Sequence, residues 1–305
     1  DFEFIIINDG STDNTLSILK DYTDPRIILL QNKQNKGLVA TLNYGLSVVR
    51  GQYIARMDAD DIAFPHRLEK QVQFMESNPS VGLLGTNVIF IDEHGKEGQL
   101  AHGTQWHFYP STVRWRLLWE TTVHHPSSMI RRTTLTKNNL WFDPAYFLAE
   151  DFDLWTRIIK YSEATYLPEV HLQYRLHSQG LSFSNREKQL AIHSQVVERG
   201  IKELMGDVAF DEAHLHMTLR LLLRTPEPSD RYRIAKSFVD SIYKRFVSQH
   251  DLSSDECQSV MEVVHRMRKR MLISASPYDP MAKFRLRLTH HSRRLLRPVS
   301  KIFRR

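Results

Sequence analysis

The sequence predicts an α/β fold, a mostly parallel sheet flanked by helices, with a helical C-terminal appendage. Three observations predict it. Phe4, Ile5, Ile6 and Ile7 form a continuous apolar run, too uniform for a half-exposed strand and suited to a parallel strand covered on both faces. The pattern of strand, polar turn and apolar-sided helix then recurs, giving β-α-β-α-β as far as Ala55 with turns short enough for right-handed crossovers. From about Asn185 onward only helical periodicity remains.

Length and composition bound the answer. A chain of 305 residues with 41% hydrophobic content can bury one large α/β domain plus an appendage, or two domains. The pattern divides it at residues 1–182, 183–282 and 283–305. The lone Cys257 permits no intrachain disulfide and has no partner at metal-ligand spacing, which suits a reducing compartment. No apolar stretch approaches the ~20 residues needed to span a bilayer, so a cytoplasmic protein is expected. Of the formal charge of +6, residues 283–305 contribute nine Lys/Arg and no Asp/Glu, which leaves the body slightly acidic and argues against a nucleic-acid-binding core. The chain opens almost inside a strand without an initiator methionine, which reads as a fragment lacking upstream sequence.

The first strand ends in Asn8, Asp9, Gly10, Ser11, Thr12 and Asp13. Gly10 permits a tight turn, and Ser11 or Thr12 can cap the helix whose apolar side is Leu16, Ile18 and Leu19. Asp9 sits at a strand-to-helix handover, where a carboxylate can accept from a nucleotide base or ribose, or simply bond its own turn. A second strand over residues 26–30 leads through a polar turn to a helix at residues 38–49. Its buried side is read as Ala40, Leu42, Leu46 and Val49, with Gly51 as C-cap.

Tyr53, Ile54 and Ala55 then deliver Asp58, Asp60 and Asp61 to the sheet's edge, on the rim expected for Asp9. Clustered carboxylates repel unless a cation sits among them, so one reading is a divalent metal holding phosphates. The other is a turn capping the helix that Pro65 and Arg67 to Gln71 open.

Residues 81–91 are strand-like, with Gly82 and Gly85 marking a bulge or close approach, and residues 92–103 read as loop. Trp106, Phe108, Tyr109, Trp115 and Trp119 could stack on a sugar, but the spacing of Trp115 and Trp119 favours core. His124 and His125 are adjacent, so only one is expected to line a cleft. Glu150 and Asp151 open a helix whose buried side includes Leu154, Trp155 and Ile158. They either cap it or supply a general base kept ionised by the helix N-terminus. Strands follow at residues 164–167 and 171–177, where His177 could bind metal and Arg175 could face phosphate. Helices are expected at about residues 186–206, 211–223, 229–249 and 255–272.

In this order the motifs resemble family 2 glycosyltransferases of the GT-A fold over about residues 1–180. They are Asn8-Asp9-Gly10-Ser11-Thr12-Asp13, Asn35-Lys36-Gly37, Ala55-Arg56-Met57-Asp58-Ala59-Asp60-Asp61, Pro65-His66-Arg67-Leu68-Glu69-Lys70-Gln71 and Ala149-Glu150-Asp151-Phe152-Asp153-Leu154-Trp155. The resemblance implies an inverting transfer of sugar from a nucleoside-diphosphate donor, UDP or another nucleotide, to a glycan or lipid-linked acceptor hydroxyl in bacterial surface polysaccharide synthesis. It implies Asp9 on the nucleotide base, Asn35, Gly37 and Arg56 at the donor, and Asp58 on ribose or in the metal shell. Asp60 would ligate Mg²⁺ or Mn²⁺, His177 would add a metal or phosphate contact, and Asp151 would be the base with Glu150 beside it. It also implies a missing first strand.

Two rivals stand beside this reading. A nucleotidyltransferase would show a glycine-rich basic phosphate loop near its start, and none is seen; a non-catalytic binding or scaffold protein is the other. In residues 283–305 basic residues alternate with apolar ones. That suits a peripheral helix on the inner face of an anionic membrane, or a disordered basic terminus interrupted by Pro298.

Overall fold

The computed structural model describes residues 1–100, 109–177, 181, 185–206, 210–223, 225 and 227–275. The basic segment 283–305, Trp106 and Phe108 lie outside them. The chain forms two compact units, Asp1–Gly200 and a second beginning at Ile201.

In the first unit, β1 (Phe4–Asn8) and β2 (Ile27–Gln31) make a parallel pair in the register Phe4↔Ile27 to Asn8↔Gln31. The helices α1 (Thr15–Lys20) and α2 (Leu38–Val48) follow them in alternation. The cap of α1 is not Ser11 or Thr12. Ser11 N–H donates to Asn8 Oδ1 (3.0 Å), Thr15 N–H to Asp13 Oδ1 (3.0 Å), and Asn14 occupies the N-cap position. In α2 the buried residue is Val39 while Ala40 is exposed, and Val49, in extended conformation, ends the helix ahead of Gly51. Gly10, at φ +75°, lies so close to the next turn that an added Cβ would meet Asn35 N at 2.6 Å, so only glycine fits this turn.

The second sheet has the order β3 (Tyr53–Ala55), β7 (Met129–Arg131), β5 (Val81–Ile91), β8 (Glu163–Arg175) and β4 (Ile62–Ala63), with β6 (Glu97–Leu100) added to β5. The sheet is mixed, not mostly parallel. Among the described residues of this sheet β5–β8 is the parallel ladder, and the β3–β7, β5–β7, β5–β6 and β4–β8 ladders are antiparallel. The cause is local: short strands return directly beside their neighbours, which needs no crossover helix. The expected common direction nevertheless holds for β3, β5 and β8, because the antiparallel β7 sits between β3 and β5. β6 occupies part of the stretch read as loop, and one long β8 replaces the two short strands.

β5 is buried along most of its length as a central strand should be. Gly85 approaches the Tyr166 ring so closely that a Cβ would lie 2.4 Å from it, and Gly82 does the same to Ser162. Pro168 interrupts β8 where the register slips from Thr86↔Leu167 to Asn87↔Val170, and Asn87 Nδ2 donates to the Pro168 carbonyl (3.3 Å). A proline is tolerated inside a sheet at such a bulge.

Around this sheet pack α3 (Arg67–Ser77), α4 (Pro110–Arg116), α5 (Arg132–Lys137) and α6 (Glu150–Ile158). Trp115 and Trp119 are core, with ring centroids 6.1 Å apart. At nine residues α6 is too short to be stable alone. It is held by burial of Phe152, Leu154, Trp155 and Ile158, worth ~1.5–3 kcal/mol each. Trp155 also donates from Nε1 to the Val123 carbonyl at 3.1 Å. The helix α7 (Arg186–Met205) then begins the all-helical stretch.

The second unit packs α8 (Glu212–Leu222), α9 (Ser229–Gln249) and α10 (Ser254–Ser274), close to the expected spans. Asp211 caps α8, and Ser253 with Glu256 forms a capping box on α10. Its core includes Leu215, Leu221, Ile242, Phe246, Val260 and Met271. Asp240 is bridged by Lys236 (2.6 Å) and Arg268, and Cys257 is half-buried. No helix among the described residues is long and apolar enough to cross a membrane.

Candidate active site

A cleft of about 920 Å³ opens in the first unit where β3, β5 and β8 reach their carboxyl ends, the usual ligand position in such sheets. Its walls come from the acid segment (Arg56, Asp58, Asp60, Asp61), the turn at His124 and His125, the start of α6 (Glu150, Asp151), the end of β8 (Tyr174, Arg175, His177) and α7 (Gln189, His193).

The acid segment runs from β3 at one edge of the sheet to β4 at the other. It is fastened at its start by Arg67, which is only 2% exposed. Arg67 Nη2 donates to the carbonyls of Arg56 (2.8 Å) and Ser128 (3.3 Å), and its Nε to Gln71 Oε1 (3.0 Å). Gln71 Nε2 in turn donates to the Ser127 carbonyl at 2.9 Å. Burial lowers the Arg67 pKa to about 10, against the opposing pull of Asp61, so the guanidinium stays charged at neutral pH.

The far end is fastened by β8. Arg175 donates from its backbone N–H to Asp61 Oδ1 (2.8 Å), from Nε to the Asp60 carbonyl (2.8 Å) and from Nη1 to the Asp92 carbonyl (2.9 Å). Its guanidinium thus holds backbone carbonyls while the residue lines the cleft. Asp61 is buried and its pKa is raised to about 6, by burial first and then by the charges of Asp58 and Asp60, despite the Arg175 N–H bond.

Between these anchors the remaining carboxylates face the cleft. Asp58 pairs with Arg56, and Asp60 Oδ2 lies 2.9 Å from His177 Nε2. Among the described residues, Asp58, Asp60 and His177 do not bring three ligand atoms within 4.8 Å of one another, because Asp58 is turned to Arg56.

On the opposite wall Glu150 is 5% exposed and accepts from Leu148 N–H at 2.8 Å, and burial raises its pKa. Asp151 is half-buried and accepts from Phe152 N–H at 2.7 Å. Its pKa is raised to about 7, by burial and then by the charge of Glu150. The helix N-terminus expected to keep it ionised is outweighed, and a carboxyl so tuned can take up a proton near neutrality.

Both histidines, not one, line the cleft. Burial and then the Arg56 charge hold His125 well below the ordinary imidazole range, so it is neutral between Phe142 (5.3 Å) and Trp155 (5.7 Å). His124 packs against Tyr174 at 5.8 Å. The Tyr174 pKa is pushed up to about 12 by burial and by Asp58, Asp61 and Asp151, which keeps its hydroxyl protonated among the carboxylates.

Asp9, Asn35 and Gly37 are not brought into this wall. Asp9 accepts from Asn32 Nδ2 (2.7 Å), Lys36 N–H (2.9 Å) and Gly37 N–H (2.9 Å). Burial raises its pKa but these bonds outweigh it, and the net shift is downward. Asn35 Oδ1 accepts from Gly37 N–H (3.0 Å), and Gly37, at φ +85°, caps α2. Among the described residues on this side, the following residue, Leu38, lines the cleft.

Sequence reasoning did not single out Arg67, Tyr174 or Gln189 for a role in the site. For Arg67 a signal existed, since an Arg with Gln at i+4 falls on the face of α3 shared with Met75.

A carboxylate-lined cleft at the strand ends of a mixed sheet is the ligand position of an open α/β fold. The sequence model described as "Glycosyl transferase family 2" matches residues 1–138. An uncharacterized glycosyltransferase of Haemophilus influenzae is 32% identical over 216 residues, 68% of this chain and 67% of that protein. The O-antigen biosynthesis glycosyltransferase WbnJ of Escherichia coli is 32% identical over 188 residues, 58% of this chain and 69% of that protein. The matched stretch thus takes in about two thirds of the length of these relatives. The structure of S. aureus TarS 1-349 in complex with UDP superposes with a TM-score of 0.51 over 94% of this chain and 82% of that one, at 14% identity, a likeness of fold alone. The chain belongs to glycosyltransferase family 2. It is a glycosyltransferase with a GT-A-type fold and a helical C-terminal region.

Proposed function

We propose that the chain moves a sugar from a nucleoside-diphosphate donor, with UDP the first candidate, to a hydroxyl of a glycan or lipid-linked acceptor in a single inverting displacement during surface polysaccharide assembly. The observation that carries this reading is the pairing of walls in one cleft: Asp58, Asp60 and His177 on one, Asp151 with Glu150 on the other. In the proposed step Asp151 takes the acceptor hydroxyl proton, the acceptor oxygen bonds to the anomeric carbon, and the bond from that carbon to the diphosphate breaks with its electron pair leaving on the phosphate. Tyr174, protonated and central, is a donor toward a sugar or phosphate oxygen.

The acid segment fits a hard divalent cation. Its donors are carboxylate oxygens and one imidazole, they are part-exposed to the cleft, and they leave positions open for phosphate oxygens. Asp60 and His177, with Asp58, would hold Mg²⁺ or Mn²⁺. Such an ion supplies positive charge beside the departing diphosphate. Asp9, Asn35 and Gly37 belong to this reading as the nucleotide end. Support from relatives is their naming: WbnJ is an O-antigen biosynthesis enzyme, and AmsE of Erwinia amylovora, 28% identical, is an amylovoran biosynthesis enzyme.

A panel of nucleotide sugars with Mn²⁺ or Mg²⁺ tests the reading, comparing wild type with Asp151→Asn and Asp60→Ala. Turnover by wild type that is lost in both variants supports it; turnover indifferent to both overturns the assignment. The same reading places residues 283–305 against anionic lipid at the inner face of the membrane. Equal cosedimentation with anionic vesicles with and without those residues would remove that part.

A further inference from the structure

Leu148 has φ +84° and is 8% exposed. A bulky residue in this region is strained, and such strain persists only where surrounding bonds over-determine it. Here they do. Leu148 N–H donates to Glu150 Oε2 (2.8 Å), and the Leu148 carbonyl accepts from Gln189 Nε2 of α7 (3.1 Å).

The turn has a direct effect on the start of α6. Leu148 is the residue before the N-cap Ala149, and the N–H groups of a helix's first turn have no carbonyl within the helix to bond. The Leu148 carbonyl is held by Gln189, Phe152 N–H finds its acceptor in Asp151 Oδ1 (2.7 Å), and Asp153 N–H to the Ala149 carbonyl (2.9 Å) is the bond that enters the helix. The turn held at Leu148 thus leads through the N-cap Ala149 into the first turn of α6, and so sets the direction in which that turn presents Asp151.

Gln189 reaches this point on a helix clamped to α6 elsewhere. Arg199 donates to Asp153 Oδ1 (2.6 Å), an oxygen of a fully buried side chain, and to Thr156 Oγ1 (2.8 Å), while the His193 ring stacks on Phe152 at 4.7 Å. A flexible glutamine on so fixed a helix is a precise anchor.

We infer that Gln189 is a positioning residue for this enzyme: by holding the Leu148 carbonyl it keeps Leu148 left-handed, and so aims Asp151 into the cleft. The inference rests on the reading of Asp151 as the base.

The test uses full chains carrying Leu148→Ala or Leu148→Gly, each with and without Gln189→Ala. Both Leu148 substitutions delete the side chain, but only glycine removes the left-handed penalty. Two readouts are taken: backbone hydrogen exchange across residues 147–153, and kcat and KM for the UDP-sugar turned over by wild type. Gln189→Ala is expected to speed exchange and lower kcat by about 5- to 30-fold in the leucine and alanine backgrounds, with donor KM unchanged. In the glycine background the added effect falls below about twofold, since the conformation no longer needs holding. An equal effect of Gln189→Ala in the glycine and alanine backgrounds overturns the inference, as does a change confined to KM. Should Leu148→Gly not fold, Leu148→Asn repeats that arm, because Asn also tolerates the left-handed region. Exchange needs no substrate, so absence of turnover with every donor counts against the proposed function while exchange still decides the role of Gln189.

Discussion

Arg67 Nη2 and the carbonyl oxygen of Arg56 lie 2.8 Å apart, joining a buried guanidinium on α3 to the residue from which the acid segment leaves β3. The same guanidinium holds Ser128 and Gln71.

Replacing Arg67 by Leu leaves the Arg56 and Ser128 carbonyls without this donor. The expected loss is about 2–5 kcal/mol in urea denaturation, since each stranded buried group costs about 1–3 kcal/mol. Arg67→Lys should recover little of it, because one ammonium cannot reproduce the planar fork. Full recovery by Lys would show that charge alone matters.

The raised pKa of Asp151, about 7, gives a signed pH prediction. As the base, Asp151 must be ionised, so kcat should climb as pH rises through about 7 and flatten above it, and Asp151→Asn should remove about 10²–10⁴ of the rate. For stability the sign reverses. The folded state holds the Asp151 proton more tightly than the unfolded chain, so ionisation costs folded stability, progressively from about pH 4 and fully above about 7. Asp151→Asn should therefore be more stable than wild type at pH 8, by on the order of a few kcal/mol, and show little gain at pH 4. Thermal melts at both pH values check it; an equal effect at both would remove the burial argument.

Mn²⁺ binding, followed by calorimetry or by the resonance of the free ion, should weaken by about 10- to 100-fold in His177→Ala and at least as much in Asp60→Ala. Asp61→Asn, which keeps an acceptor for the Arg175 N–H, should leave affinity closer to wild type. Unchanged affinity in Asp60→Ala would exclude this metal site.

Gly85→Ala would set a methyl 2.4 Å from the Tyr166 ring between the two longest strands. Overpacking of this kind costs about 1–3 kcal/mol. Denaturation should show that loss, and Tyr166→Leu in the same chain should recover part of it.

What was legible in the sequence depended on contiguity. The acid segment, the Glu150–Asp151 pair and the helices of the second unit each lie within one stretch of chain, so period and composition expose them. The common direction of β3, β5 and β8 was legible too, but the strand between them was not, because antiparallel β7 comes from residues far from the strands it separates, and pairing is a tertiary choice. The role of Arg67 was hidden for a related reason: its partners are backbone carbonyls, which leave no trace in side-chain pattern. The anchoring role of Arg175 was hidden in the same way, since its donors end on the Asp60, Asp92 and Glu93 carbonyls. Leu148 carries no signal at all, since leucine is the wrong residue for a left-handed turn.

The acid segment leaves β3 at one margin of the second sheet and enters β4 at the other. Four strand spacings across a flat sheet amount to about 19 Å. From Ala55 to Ile62 the chain can stretch about 24 Å, less once the turn closed by Asp61 N–H on the Asp58 carbonyl is subtracted. The segment is thus a taut strap over the sheet's mouth, and its length is as constrained as its chemistry. One residue added there would slacken the strap and let Asp58 and Asp60 drift from the opposite wall; one removed would draw the margins of the sheet inward.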